Sequence, residues 1–139
     1  MTIEYFTDRD LGKLFPETLR NAGLTVHRHA DHFKHDCPDD EWLAQVGAKG
    51  WVAITHDANI GRKPNLIEAV MVNNVALLVV VGAAPHQLLA DNFVATLPAI
   101  ERFVHKQEPP YIAKIHRPSP RDQAKKLHPV GTIEKWRSA

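Results

Sequence analysis

Two apolar runs, Trp51–Thr55 and Val75–Val81, pass without any alternation of polar and apolar residues. A strand with one face in water alternates, so an unbroken run of this length predicts a strand covered on both faces. That arrangement belongs to parallel sheets with helices packed on either side. Shorter strand-like runs occur at Ile3–Thr7, at Leu24–His27 and, after the turn signal Pro109-Pro110, at Tyr111–His116.

The intervening segments have helical spacing. Leu11, Leu14, Phe15, Leu19 and Ala22 fall on one face of a helix over 11–21; Gly23 ends it, and Pro16 has to sit in its first turn. The segment 39–49 opens with three acids, continues through Trp42, Leu43 and Val46, and stops at Gly50. Helices are also predicted over 65–73 and 86–106, the last bent or split at Pro98. Strands alternating with helices across short connections predict an α/β fold. The expected form is a three-layer α/β/α sandwich on a mainly parallel sheet of four or five strands. A chain of 139 residues holds one core, placed here at residues 1–117, with 118–139 as a basic C-terminal tail.

The formal charge of the whole chain is only +1, but it is unevenly spread. From Lys114 onward seven Lys or Arg residues accompany two acids, which leaves this end at +5 and the preceding body at −4. An acidic body beside a basic tail suits a metal centre next to a phosphate-seeking surface, although a merely solvated tail has the same composition. The single cysteine, Cys37, excludes an intrachain disulfide and fits a reducing compartment. The first ten residues lack the features of a signal peptide, and the longest apolar run, Val75–Ala84, is too short to cross a membrane. A cytoplasmic location and no membrane partner are expected.

In an open parallel sheet, ligands gather at the carboxyl ends of the strands. The first strand runs into Asp8 and Asp10, the third runs into Asp57, and the helix leading to the third opens with Asp39, Asp40 and Glu41. A parallel sheet brings these groups to one edge, where clustered carboxylates repel unless a cation or proton separates them. Oxygen ligands without thiols select Mg²⁺ or Mn²⁺, which activate water and neutralise charge on a phosphodiester under attack. Each acid also has a structural use: Asp39 as a helix N-cap, Asp57 as a turn initiator, Asp8 and Asp10 as caps of the first helix. Their joint position at strand ends favours the functional reading.

The segments Phe6–Gly12, Pro38–Leu43 and Gly50–Asp57 resemble the signatures of compact PIN-like domains, relatives of the nuclease toxins of VapBC-type toxin–antitoxin pairs. That family pattern has an Asp closing strand one, an acidic group opening the helix before strand three, and Thr-x-Asp closing strand three. The similarity extends through Arg62-Lys63-Pro64 and Pro110–Ala113, covering about residues 3–117. It implies a metal-dependent ribonuclease, the toxin of a toxin–antitoxin pair, with RNA and a protein antitoxin as partners. Separately, the tail, with its Lys-Lys pair and Trp136, suits docking on a partner or a second copy of the chain. Position by position, the resemblance implies that Asp8, Asp39 and Asp57 are catalytic and hold Mg²⁺ or Mn²⁺, with Thr55 supporting the site. Asp40 and Glu41 are the substitutes for Asp39. Fuller PIN domains insert a helical hairpin with a further acid between the first two strands. This chain lacks it, which leaves three outcomes: weak metal binding, recruitment of Asp10 or Asp91, or loss of activity.

The run His27, His29, His32, His35 and Cys37 carries metal-capable side chains. Structural zinc sites use two separated ligand pairs, so a loop beside the active edge is expected in preference. Arg62 and Lys63 are candidates for holding substrate phosphates, Arg by its two-pronged guanidinium. Trp42 and Trp51 lie in apolar patterns and read as core, whereas Trp136, between Lys135 and Arg137, reads as a contact to a partner or to nucleic acid. His56 directly precedes Asp57, and neighbours along a strand point to opposite faces, which places it outside the site.

Two other readings compete. A response-regulator receiver has acids after strand one, an Asp after strand three and a Lys after strand five, a layout imitated by Asp8, Asp10, Asp57 and Lys114. It also needs Ser or Thr after strand four, where this chain has Val81-Gly82-Ala83-Ala84, and it leaves the acids of 39–41 without a role. The second is a PIN-like scaffold that binds without cutting.

Overall fold

The structure, a computed structural model, describes residues 2–127 and 129–139. Six strands, β1 (Glu4–Thr7), β2 (Thr25–Arg28), β3 (Val52–Thr55), β4 (Ala76–Val80), β5 (Tyr111–His116) and β6 (Thr132–Ser138), form a sheet in the order β2-β1-β3-β4-β5-β6. The first five are parallel, and β6 runs antiparallel beside β5. The helices are α1 (Leu14–Asn21), α2 (His29–His32), α3 (Asp39–Lys49), α4 (Pro64–Val72), α5 (His86–Ala95), α6 (Leu97–Lys106) and α7 (Pro120–Lys125). This is the expected α/β sandwich on a mostly parallel sheet.

The missing alternation has its cause in the two cores. On β4, Ala76, Leu78 and Val80 pack with Phe15 of α1 and Phe93 of α5, while Leu77 and Val79 pack with Trp42 of α3 and Val70 of α4. On β1, Tyr5 faces the first core and Phe6 the second, where it stacks on Trp42 with ring centroids 5.3 Å apart. Each large apolar side chain buried this way contributes roughly 1.5–3 kcal/mol.

Helices α3 and α4 meet backbone to backbone. A Cβ added at Gly47 would lie 2.1 Å from the Asn73 carbonyl oxygen. In an exposed helix, Gly→Ala stabilises by about 1 kcal/mol; here the sign reverses. Gly47→Ala is expected to lower stability by about 1–3 kcal/mol, as overpacking does. Thermal unfolding checks this, and an unchanged or raised melting temperature would contradict the close approach.

Three boundaries differ from expectation. The helix over 86–106 is two helices broken at Thr96, whose hydroxyl donates to the Asn92 carbonyl at 2.7 Å and accepts the Gly131 N–H at 3.0 Å. Pro98 then falls in the first turn of α6, where it displaces no helical hydrogen bond. The first helix begins at Leu14 because Asp8 caps a separate 3₁₀ turn over Arg9–Leu11. The expected histidine loop contains α2, a single turn.

The largest difference concerns residues 118–139, read from sequence as an appendage. Residues 132–138 are the sixth strand, one more than the four or five expected. The register against β5 slips between Ile112 and Ala113, which leaves Trp136 as the extra residue of a bulge. Trp136 packs against the second core, and a Cβ on Gly61 would lie 2.1 Å from its ring. Arg137 Nε donates to the Gly61 carbonyl at 3.1 Å, and Ile133 packs on the first core.

Candidate functional site

The chain leaves β1 to form β2 on one side and later β3 on the other, so the sheet has its topological switch at β1. Asp8 closes β1 there, its N–H donating to the Ile54 carbonyl at 2.9 Å. The residue is 5% exposed. Its Oδ1 accepts the Arg9 N–H at 2.7 Å, and its Oδ2 accepts from the buried Thr55 hydroxyl at 2.9 Å. Asp10 Oδ2 lies 3.3 Å from the same hydroxyl and accepts the His56 N–H at 3.1 Å. One hydroxyl proton cannot serve both acids. Burial, and then the Asp10 charge, push the Asp8 carboxyl from its ordinary 3.8 up to about 7. Partial burial raises Asp10 as well, opposed chiefly by its bonds to His56 and Thr55.

The other expected acids flank this pair. Asp39 opens α3, and its Oδ1 accepts from Trp42 Nε1 at 2.8 Å and from Arg9 Nη2 at 3.3 Å. Arg9 Nη1 donates to the Cys37 carbonyl at 3.0 Å and approaches His29 Nε2 at 3.1 Å. A guanidinium has no lone pair to offer, so His29 accepts there and carries its proton on Nδ1. Burial and Arg9 both lower the His29 pKa, in keeping with a neutral ring. Arg9 is thus an internal counter-ion for Asp39, whose charge still adds to the rise at Asp8. Asp57 caps the 3₁₀ turn Ala58–Gly61 by accepting the Asn59 N–H at 2.9 Å, and its own N–H donates to Thr55 Oγ1 at 3.1 Å. Its charge adds to the rise at Asp10.

The four acids therefore form a series, Asp39, Asp8, Asp10 and Asp57, with Asp8 and Asp10 at its centre. Among the described residues no three His, Cys, Asp or Glu side chains are grouped closely enough to hold an ion. Asp40 and Glu41 are exposed on α3, and Asp91 accepts from Gln87 of its own helix. An Mg²⁺ or Mn²⁺ ion takes only one or two protein carboxylates and completes its shell with waters and phosphate oxygens. The all-oxygen pair Asp8 and Asp10 fits that demand.

Arg62 and Lys63 are exposed where the chain enters α4. Arg62 lies 6.0 Å from the Trp136 ring, which Lys114 and Arg137 also approach at 4.0 and 5.3 Å. Lys114, the cation that a receiver aims at its acids, is thus stacked on an aromatic face. Trp42 and Trp51 are buried, as expected. The histidines separate: His27 stacks on Trp51 at 3.8 Å, whereas His29 lies under Arg9. The His56 ring bonds the Gly82 carbonyl at 2.8 Å, and only its backbone N–H serves the acids. Among the described residues no helix is long and apolar enough to cross a membrane.

Sequence reasoning missed the place of Arg9. The signal was the triplet Asp8-Arg9-Asp10: a cation between two acids at a strand end, free to answer a third acid elsewhere.

Comparison with curated proteins and with solved structures gives no match. The PIN like domain family model matches residues 3–82. That stretch, more than half of the chain, carries β1 to β4 together with Asp8, Asp10, Asp39, Thr55 and Asp57, and this chain accordingly belongs to the PIN like domain family.

Proposed function

We propose that the chain is an Mg²⁺- or Mn²⁺-dependent ribonuclease, the toxin of a toxin–antitoxin pair, acting at the edge where Asp8 and Asp10 meet Thr55. One observation carries the reading: a buried carboxylate stands against a second carboxylate with a single hydroxyl proton between them. Burying a charge beside a like charge opposes folding, and packing alone returns nothing for it. A divalent cation removes the repulsion. When bound, the ion would supply an activated water and neutralise charge on the phosphodiester.

The residues of the chain have separate tasks in this reading. Asp8 and Asp10 hold the ion, and Thr55 orients them. Asp39 and Asp57, the flanking acids of the family pattern, add negative potential that favours a cation. Arg9 limits that potential by pairing with Asp39. Arg62 and Lys63 take up phosphates of the strand outside the acids. A protein antitoxin and a second copy of the chain belong to the same proposal. The pairing of Asp39 with Arg9 and Trp42 favours one alternative, a module that binds metal and RNA without cutting.

The test is cleavage. Purified protein should degrade single-stranded or structured RNA with Mg²⁺ or Mn²⁺ and stop with EDTA. Losing a mere supporting partner of a metal ligand costs about 10–100-fold, so Asp8→Asn and Asp10→Asn should each cost more. Asp40→Asn should cost little. Cleavage untouched by EDTA, or undiminished in both variants, would refute the proposal; metal binding without cleavage would establish the module.

A further inference from the structure

Beside Asp8, at the carboxyl ends of β1 and β2, lies a cavity of about 210 Å³. Asp8, Arg9, Lys13, Arg28, His29 and His35 contribute to its wall. Arg9 is committed to Asp39, and His29 is held neutral beneath it. Lys13 and Arg28 are different. Neither has a carboxylate within ion-pair distance among the described residues. Arg28 is the last residue of β2, is half-buried, and keeps a buried Nε with no hydrogen-bond partner.

A buried guanidinium N–H without an acceptor is costly, and native structures almost always satisfy it. An apolar or neutral ligand would leave the two charges unanswered. The space is below the roughly 300–1,000 Å³ of pockets that take a drug-sized ligand, which excludes a whole nucleotide and leaves room for a compact anion. Arg recognises tetrahedral oxyanions through its fork, and Lys as a point charge. Two unpaired cations match two negative charges, as on a phosphate monoester, better than the one on an internal diester.

We propose that this cavity is a subsite for a terminal phosphate, in which Arg28 and Lys13 hold the monoester at the end of the RNA strand that lies across Asp8 and Asp10. The identity of the strand rests on the ribonuclease reading; the anion does not.

Binding in EDTA tests the subsite apart from cleavage. Short oligoribonucleotides of one sequence, bearing a 5′-phosphate, a 3′-phosphate or neither, are titrated against the full chain at fixed salt. One of the phosphorylated forms should bind at least about tenfold tighter than the unphosphorylated one, as expected for a charge-assisted, bidentate contact, which identifies the end. Inorganic phosphate should compete that preference away. Arg28→Gln should abolish it, and Arg28→Lys should retain part of it. Lys13 is exposed, so Lys13→Gln carries the same test if Arg28→Gln fails to fold. Equal binding of all three oligonucleotides, or an undiminished preference in folded Arg28→Gln or Lys13→Gln, would overturn the subsite whether or not the protein cleaves RNA.

Discussion

In metal-free buffer at about pH 8, Asp8→Asn is expected to unfold at a higher temperature than the native sequence, while the RNA cleavage proposed above is lost. The Asp8 carboxyl is raised from 3.8 to about 7 by burial and by its neighbour Asp10. Below about pH 4 both the folded and the unfolded chain hold this proton, and the acid has no cost. Between about pH 4 and pH 7 the unfolded chain releases the proton while the folded chain keeps it, so stability falls as pH rises and levels off above 7. A gap of about three pKa units corresponds to about 4 kcal/mol. Asparagine keeps the shape of the side chain and cannot ionise. The variant should therefore gain several degrees at pH 8, and the gain should vanish near pH 4. Adding Mg²⁺ should raise the melting temperature of the native sequence at pH 8 but scarcely that of Asp8→Asn. A variant less stable than the native sequence at pH 8 would mean that no repulsion needs relieving, and the case for a cation would fall with it.

Ending the chain after Arg117 is expected to cost about 3 kcal/mol, the low end for removing a large core aromatic, since Trp136 and Ile133 are both half-buried, and to weaken cooperative unfolding. The cut removes β6, the Trp136 ring over Gly61 and the Ile133 contact with the first core. It also leaves β5, mostly apolar, as an unpaired edge open to other chains. Urea titration and light scattering measure both effects. Unchanged cooperative unfolding, with no association, would return residues 118–139 to the status of a tail.

The interior was legible in the sequence because it is covered on two sides. Val52–Thr55 and Ala76–Val80 have no wet face, and only a parallel sheet between helix layers gives them that setting. Asp8 and Asp57 were likewise placed by strand ends, and they lie after the adjacent strands β1 and β3. β6 was not legible. It is an edge strand with Glu134, Lys135 and Arg137 exposed, and its two large apolar residues, Ile133 and the bulged Trp136, are three apart and fit no strand period. The centre of the site was hidden for another reason. Asp8 and Asp10 share the hydroxyl of Thr55, 47 and 45 residues away, and spacing along the chain has no term for that.

The Gly61–Trp136 contact also sets an order of events during synthesis. Asp8, Asp10, Asp39 and Asp57 all precede Gly61, whereas the ring that clamps Gly61 comes near the end of the described residues. At roughly 5–20 residues per second, several seconds separate the emergence of the acids from that of the clamp. Throughout that interval a ribosome-bound chain holds the acidic half with the turn after Asp57 unsecured by that ring. A growing chain therefore carries all four acids well before the contact that secures the turn capped by Asp57 can form.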